Sequence, residues 1–324
     1  MAFQLKAKES VGDGLTRNVK RELEKVQDLL GAKVKPHELG AWENEAVHET
    51  RKCFKKIRAA LRLVREEFGD DVYHEQNWFF RDAARPLTEV RDAEMLVETF
   101  DKLARQLAAP IEPGAVAKVR AALLAHQQDV TRRVLGEDRA LAGVKAAATR
   151  ALTSVSEWRI DADGWAALEG GLRRVYRTGR RALARAAEDP SVANLHEWRK
   201  QAKYLWHELQ LLESAWTGSE PELGDQVHEL SRLLGDDHDL AVLRQTLAAD
   251  PLTYGGHRVL KDMFAVVDRQ RQELERQAFA LDRQLYKDPP RVFTSRIEGY
   301  WKAWRARPGS QPVPPPETSN LHPR

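Results

Sequence analysis

Two short stretches of this chain carry the same set of side chains able to hold an anion. Residues 47–55 read Val-His-Glu-Thr-Arg-Lys-Cys-Phe-Lys, and residues 195–203 read Leu-His-Glu-Trp-Arg-Lys-Gln-Ala-Lys. Arg offers a planar fork that grips paired oxygens, and Lys offers a compact ammonium. His adds a further cation when a neighbouring anion raises its pKa. On a helix, residues three, four and seven apart share a face. His48, Arg51, Lys52 and Lys55 then form one cationic stripe, and His196, Arg199, Lys200 and Lys203 form its twin. Two matching stripes in one chain imply a composite site for a polyanion.

More cations flank both stripes. Lys56, Arg58, Arg62 and Arg65 continue the first, and the stretch from Tyr204 to His207 continues the second. Upstream of the second stripe lies a basic helix with Arg173, Arg174, Arg177, Arg180, Arg181 and Arg185, of which 173, 177 and 180 share a face. Like charges so spaced repel, so their crowding calls for an acidic neighbour or an anionic ligand. The net charge of the whole chain is only +3, so an electrostatic function must lie in the arrangement of charge.

The elements that carry these residues read as helices. Ala, Leu, Arg, Glu, Lys and Gln dominate, and apolar residues recur at helical spacing, as in Val19, Leu23, Val26, Leu29 and Leu30. No alternating run reads as a strand. Gly, Pro or Asp mark breaks near 31–40, 69–73, 85–86, 109–114, 135–136, 161–164, 189–190, 217–221, at Gly235, and near 250–256 and 288–290. About ten to twelve helices follow from that punctuation. The Pro-rich tail, 307–324, is expected to be disordered.

The repeat extends beyond the His helices. Leu87, Asp92, Met95 and Leu96 match Leu234, Asp239, Val242 and Leu243. Each half therefore reads as a His helix, an intervening helix and a helix with an internal Asp. The expected fold is all-α: two pseudo-symmetric helical bundles, an internal duplication of about 11–157 and 163–306 within one domain, 11–306. A pseudo-two-fold axis would set the His helices face to face or side by side, so that both stripes serve one channel.

Other features bound the reading. The chain has 324 residues, 42% hydrophobic and 31% charged, an ordinary balance for a soluble protein. A single cysteine, Cys53, excludes an intrachain disulfide and reads as a small packed residue. No run reads as a signal peptide or approaches the roughly 20 apolar residues of a membrane span, so a cytoplasmic location is expected. Trp198, Tyr204, Trp206 and Trp216 read as core, Asp92 and Asp239 as caps or structural partners of cations, and Arg17, Lys20 and Arg21 as solvent charges.

The pattern resembles the CHAD family, the conserved histidine α-helical domains. The resemblance is carried by Val47-His48, Arg51, Lys55-Lys56-Ile57-Arg58, Leu61 and Arg62; by residues 171–183; by Leu195-His196, Arg199 and Ala202-Lys203; and by Leu233 to Asp236 with Asp239 to Leu243. It spans about Val11 to Trp304. It implies two helical bundles around a basic central channel, binding of inorganic polyphosphate, and association with polyphosphate granules. No acidic β-barrel sequence of the triphosphate-hydrolysing type accompanies it, so the chain reads as a stand-alone member. There are departures. The family usually has a basic residue at Trp206 and an aromatic at His207, often an apolar residue at Lys52 and Lys200, and a Gly at Thr88, where the exchange is expected to touch the turn and spare the site.

The expected binding set is His48, Arg51, Lys52, Lys55, Arg58, Arg62, Arg173, Arg177, Arg180, His196, Arg199, Lys200, Lys203 and His207. No catalytic residue, metal or cofactor is expected. Inorganic polyphosphate is the expected partner, with a polyphosphate-metabolising enzyme as a further one. The alternatives are a nucleic-acid binder, for which no reader motif is present, a helical protein that serves only to bind a protein partner, and a metal-dependent phosphohydrolase. The last rests on Asp236-Asp237-His238-Asp239, which also reads as a capped helix junction after Gly235.

Overall fold

The computed structural model describes residues 3–107, 113–216 and 222–307. Among these residues there are eleven α-helices and no strand. They are α1 (Val11–Gly31), α2 (Leu39–Leu63), α3 (Arg65–Ala84), α4 (Leu87–Ala104), α5 (Pro113–Thr131), α6 (Ala140–Val155), α7 (Ala166–Glu188), α8 (Val192–Trp216), α9 (Glu222–Ala249), α10 (His257–Leu285) and α11 (Pro290–Arg305). Local chemistry sets several ends. Ser10 caps α1, its hydroxyl accepting from the Asp13 N–H at 3.0 Å. Pro290 opens α11, where a missing N–H costs nothing. The Pro-rich tail and the 217–221 break lie outside the described residues, apart from Arg307.

The expected break at 69–73 is present: Gly69 takes φ +69° and ψ 164°, outside the helical region, and divides α3 at a kink. One expected break comes out differently. At Gly235 there is no break, and α9 runs straight through. One interior glycine costs a helix only about 1 kcal/mol. The buried Leu230, Leu233 and Leu234 before it, and Leu240 and Leu243 after it, outweigh that cost. The second half therefore carries on one helix what the first half splits between α3 and α4.

The apolar residues form two clusters, and each draws on both halves of the chain. The larger joins α1, α2, α3, α6, α7, α8, α11 and the near ends of α4 and α9, with Trp198, Tyr176, Phe54, Phe80 and Phe293 among its fully buried side chains. The smaller joins the far parts of α4 and α9 to α5 and α10, through residues such as Phe100, Leu123, Leu243 and Met263. The helices pack mainly within each half, yet both apolar clusters run across the seam between the halves. The physical reason is that α4 and α9 each carry apolar residues for both cores: Leu87, Val90 and Ala93 then Leu96 and Phe100 on α4; Leu234 then Leu240 and Leu243 on α9. Between these sets both helices turn polar, at Asp92 and at Asp236–Asp239.

The packing order is alike in both halves. α1 lies on α2 and α6, and α7 lies on α8 and α11; α4 pairs with α5, and α9 with α10. The halves meet where α2 touches α7 and α8 and where α4 touches α9. The approach of α7 to α2 depends on glycine, because a Cβ on Gly171 would stand 2.0 Å from the Leu63 carbonyl oxygen.

Candidate functional site

The helical period buries one face of α2 (Val47, Thr50, Phe54, Ile57) and turns His48, Arg51, Lys52 and Lys55 away from it. On α8, Leu195, Trp198, Ala202 and Leu205 are buried in the same way. The exposed faces of α2 and α8 meet in one cavity of about 460 Å³, which α4 and α9 close where they turn polar between the two cores. His48, Arg51, Lys52 and Lys55 enter it from α2, and Arg199, Lys203, Trp206 and His207 from α8. Arg91 and Asp92 come from α4; His228, Arg232, Asp236, His238 and Asp239 come from α9. Seven Arg or Lys side chains face three Asp, so the cavity is cationic although the chain is nearly neutral.

The repeated glutamates explain why the cations are not equivalent. Glu49 takes Lys52 at 3.1 Å and Glu197 takes Lys200 at 2.6 Å, so these matched lysines are paired. Glu49 also pairs with Lys25 and stands 3.8 Å from the His48 ring. Arg91 is held by Glu94 and Glu98, and Arg232 by Glu229 and Asp236. Among the described residues, Arg51, Lys55, Arg199 and Lys203 make no ion pair within 4.0 Å. Arg51 donates to the Thr88 hydroxyl at 2.5 Å, so Thr88 does reach a site residue. The Nε atoms of Arg51 and Arg199 are both buried with no hydrogen-bond partner among the described residues.

Burial and mutual repulsion lower the pKa values of the lysines and histidines in this cluster. Enclosure by protein, then the charges of Lys203, Arg51, Arg199 and Arg91, lower Lys55 to about 7. Its side chain still meets cavity water, which screens part of that repulsion. Burial, then Arg199, lowers Lys203 to about 8. Burial also lowers His48 and His196, with cationic neighbours adding to it. His207 is fully enclosed and pushed down to about 3, so it is a neutral ring that meets Gln210 at 3.0 Å. Asp92 and Asp239 are raised by burial against the pull of Arg51 and Arg199 respectively. Neither aspartate caps a helix; both sit inside one, beside the cations.

The remaining expected residues fall elsewhere. His196 lies behind the wall, its Nδ1 3.3 Å from the Nδ1 of His238. Lys200 does not line the cavity. Arg58 faces an adjoining cleft and donates to Asn77 at 2.9 Å. Arg62 stacks 3.7 Å over the Tyr204 ring and donates to the Arg58 carbonyl. Arg173 pairs with Glu169, and Arg177 and Arg180 lie on α7, away from the cavity. Trp198 is core, but Trp206 lines the cavity and stacks on His228 at 4.3 Å. Arg91, His228 and Arg232 are lining residues that the repeat did not disclose. For His228 and Arg232 the signal was the run 228, 232, 235, 239 and 242 on one helical face, legible once Gly235 is not taken as a break. Among the described residues no group of three His, Cys, Asp or Glu is placed to hold a metal. Asp237 is spent on Arg271 at 2.8 Å, and Asp236 on Arg232 at 2.8 Å. Among the same residues no helix is long and apolar enough to cross a membrane. Cys53 is buried, and burial holds its thiol well above the usual range.

Comparison with known proteins gives the following. A family model described as the CHAD domain matches residues 26–248. No curated protein matches the chain. Among solved structures, the chain is similar to the crystal structure of the CHAD domain from the plant Ricinus communis, at 16% identity and a TM-score of 0.51, covering 94% of this chain and 95% of that one. At that identity the likeness speaks to the fold.

Proposed function

The chain belongs to the CHAD domain family, and from that premise we propose that it binds inorganic polyphosphate, without catalysis, in the cavity between α2, α4, α8 and α9. The observation that carries the proposal is that Arg51 and Lys55 stand in one cavity with Arg199 and Lys203, their mates in the repeat, with no carboxylate in an ion pair to any of the four. A linear phosphate polymer presents an anionic oxygen at every unit. Forked and point cations on opposing walls fit that regular charge, and the polymer takes the place of counterions. The parallel packing of the two halves supports a duplicated origin for the cavity, with the two stripes as its opposing walls. Attachment to polyphosphate granules in the cytoplasm, and contact there with a polyphosphate-metabolising enzyme, would follow from such binding.

The test is calorimetric titration with long-chain polyphosphate of the wild type and of a variant carrying His48→Ala, Arg51→Ala, Arg199→Ala and Lys203→Ala. The expected result is salt-sensitive binding that the variant loses while its helical circular dichroism persists. A wild type that binds single-stranded RNA as tightly as polyphosphate at equal phosphate concentration, or that binds neither, would refute the proposal. Phosphate release dependent on added Mg²⁺ or Mn²⁺ would refute its non-catalytic part.

A further inference from the structure

The cavity does not end at α2. A second cleft, of about 450 Å³, lies between α2, α3 and the start of α4, and it shares two lining residues with the cavity, Arg51 and Lys55. Its other polar wall is Arg58, Arg81, Arg85 and Thr88. No carboxylate lines it. Of its arginines, Arg81 is paired with Asp82 at 2.8 Å, while Arg85 and Thr88 also border a neighbouring pocket that holds Asp82, Glu89 and Asp92. The opposite side of the cavity is different: there Arg91 and Arg232 are each held by two carboxylates, and Lys102 approaches Asp236 at 3.9 Å. Trp206 stacked on His228 forms part of that wall as well. The cavity therefore has one side whose cations are neutralised and one side that opens past Arg51 and Lys55 onto more arginine.

Resting on the polyphosphate reading above, we propose that the cleft of Arg58, Arg81 and Arg85 is the second half of the binding track, so that a linear polyanion leaves the cavity between Arg51 and Lys55 and runs along α3. Arg51 and Lys55, which line both spaces, are the joint. Arg58 is held in place by Asn77 at its Nε and keeps its other guanidinium nitrogens for the ligand. Arg85, exposed and on the turn into α4, stands at the outer end. The repeat does not supply this feature twice: the positions matching Arg58 and Arg81 are Trp206 and His228, and Arg232, the mate of Arg85, is held by Glu229 and Asp236. The site is thus one-sided, and it sets a length requirement. A short anion fills the cavity alone; a long chain uses both parts and gains affinity by occupying the cleft.

The test measures binding of tripolyphosphate and of long-chain polyphosphate to the full chain, at several salt concentrations. Arg81→Ala/Arg85→Ala is compared with a cavity variant, Arg199→Ala/Lys203→Ala, and with Lys118→Ala/Arg150→Ala, which removes equal charge from exposed sites on α5 and α6. The cleft variant should lose roughly tenfold in long-chain affinity, as two exposed contacts of under 1 kcal/mol each would give. Its slope of log affinity against log salt should fall by about one to two. Its tripolyphosphate affinity should equal that of the wild type. The single change Arg85→Glu should lose more than Arg85→Ala. The cavity variant should lose both ligands. If the cleft variant keeps the wild-type long-chain affinity and slope while the cavity variant loses them, the cleft is not part of the track and the functional reading stands. If the Lys118/Arg150 control loses as much as the cleft variant, the effect is general charge and the inference falls. A wild type that binds neither probe overturns both.

Discussion

Lys55 and Lys203 govern how this site responds to pH. In the free protein they titrate at about 7 and about 8, and His48 and His196 are lowered too. A bound polyanion favours the charged form of each, so binding takes up protons. Affinity should fall as pH rises above about 7, where the free lysines lose charge that the bound ones keep. Calorimetry in Tris and in HEPES should report net proton uptake between pH 7 and 9, and Lys55→Met/Lys203→Met should remove most of it. Equal heats in the two buffers would show that these lysines do not face the ligand. Glu208 makes the opposite kind of prediction. It is fully buried on α8, neither carboxyl oxygen has a partner, and burial holds its pKa well above the usual value. Its contribution is intact below the unfolded pKa and is lost as pH rises through the folded one. Glu208→Gln should therefore raise the melting temperature at pH 8 and change it little at pH 4. Of these groups, the two lysines and two histidines stood out in the sequence because they repeat. Glu208 could not, since a carboxylate in a helix reads as a surface residue until its burial is known.

Two glycines show how elements set the cavity's walls. A methyl on Gly171 would collide with the backbone of α2 at Leu63, whereas one on Gly235 would stand 3.7 Å from the Arg199 Nε, an ordinary contact. Gly171→Ala should destabilise by about 1–3 kcal/mol or more, because a carbonyl cannot move aside as a side chain can. Gly235→Ala should stabilise by about 0.5–1 kcal/mol through helix propensity. Thermal unfolding of the pair should move in opposite directions. Helix number and most boundaries were legible, since Gly, Pro and Asp punctuate a strongly periodic chain. The error at Gly235 was one of weight. Local propensity said break, and the leucines on either side, buried in two different cores, overrode it. The same error hid His228 and Arg232 and made Asp236–Asp239 look like a cap. The α7 arginines misled for another reason: a stripe on one helical face does not say which neighbour that face meets.

At the scale of the molecule, the repeat pointed to Arg51, Lys55, Arg199 and Lys203, which line one cavity, and equally to His196 and Lys200, which do not; nor did it show that the apolar clusters would cross between halves, since a pattern within helices carries no information about which helices pack together. It also could not foretell a second cleft, because the mates of Arg58 and Arg81 are Trp206 and His228, and only Arg85 has a cationic mate, Arg232. A net charge of +3 gives no hint of a strong site, yet affinity should fall steeply between low and physiological salt, with a slope that counts the phosphates engaged. The depressed Lys55 carries one more consequence. Cations held close against their own repulsion make the empty protein a loaded spring: what prepares the cavity for a ligand strains the fold that holds it. Lys55→Met, which weakens binding, should then raise the melting temperature of the unliganded protein at pH 6. The unliganded wild type should itself gain stability as pH climbs from 7 towards the ordinary lysine range, since the unfolded chain keeps the proton that folded Lys55 gives up.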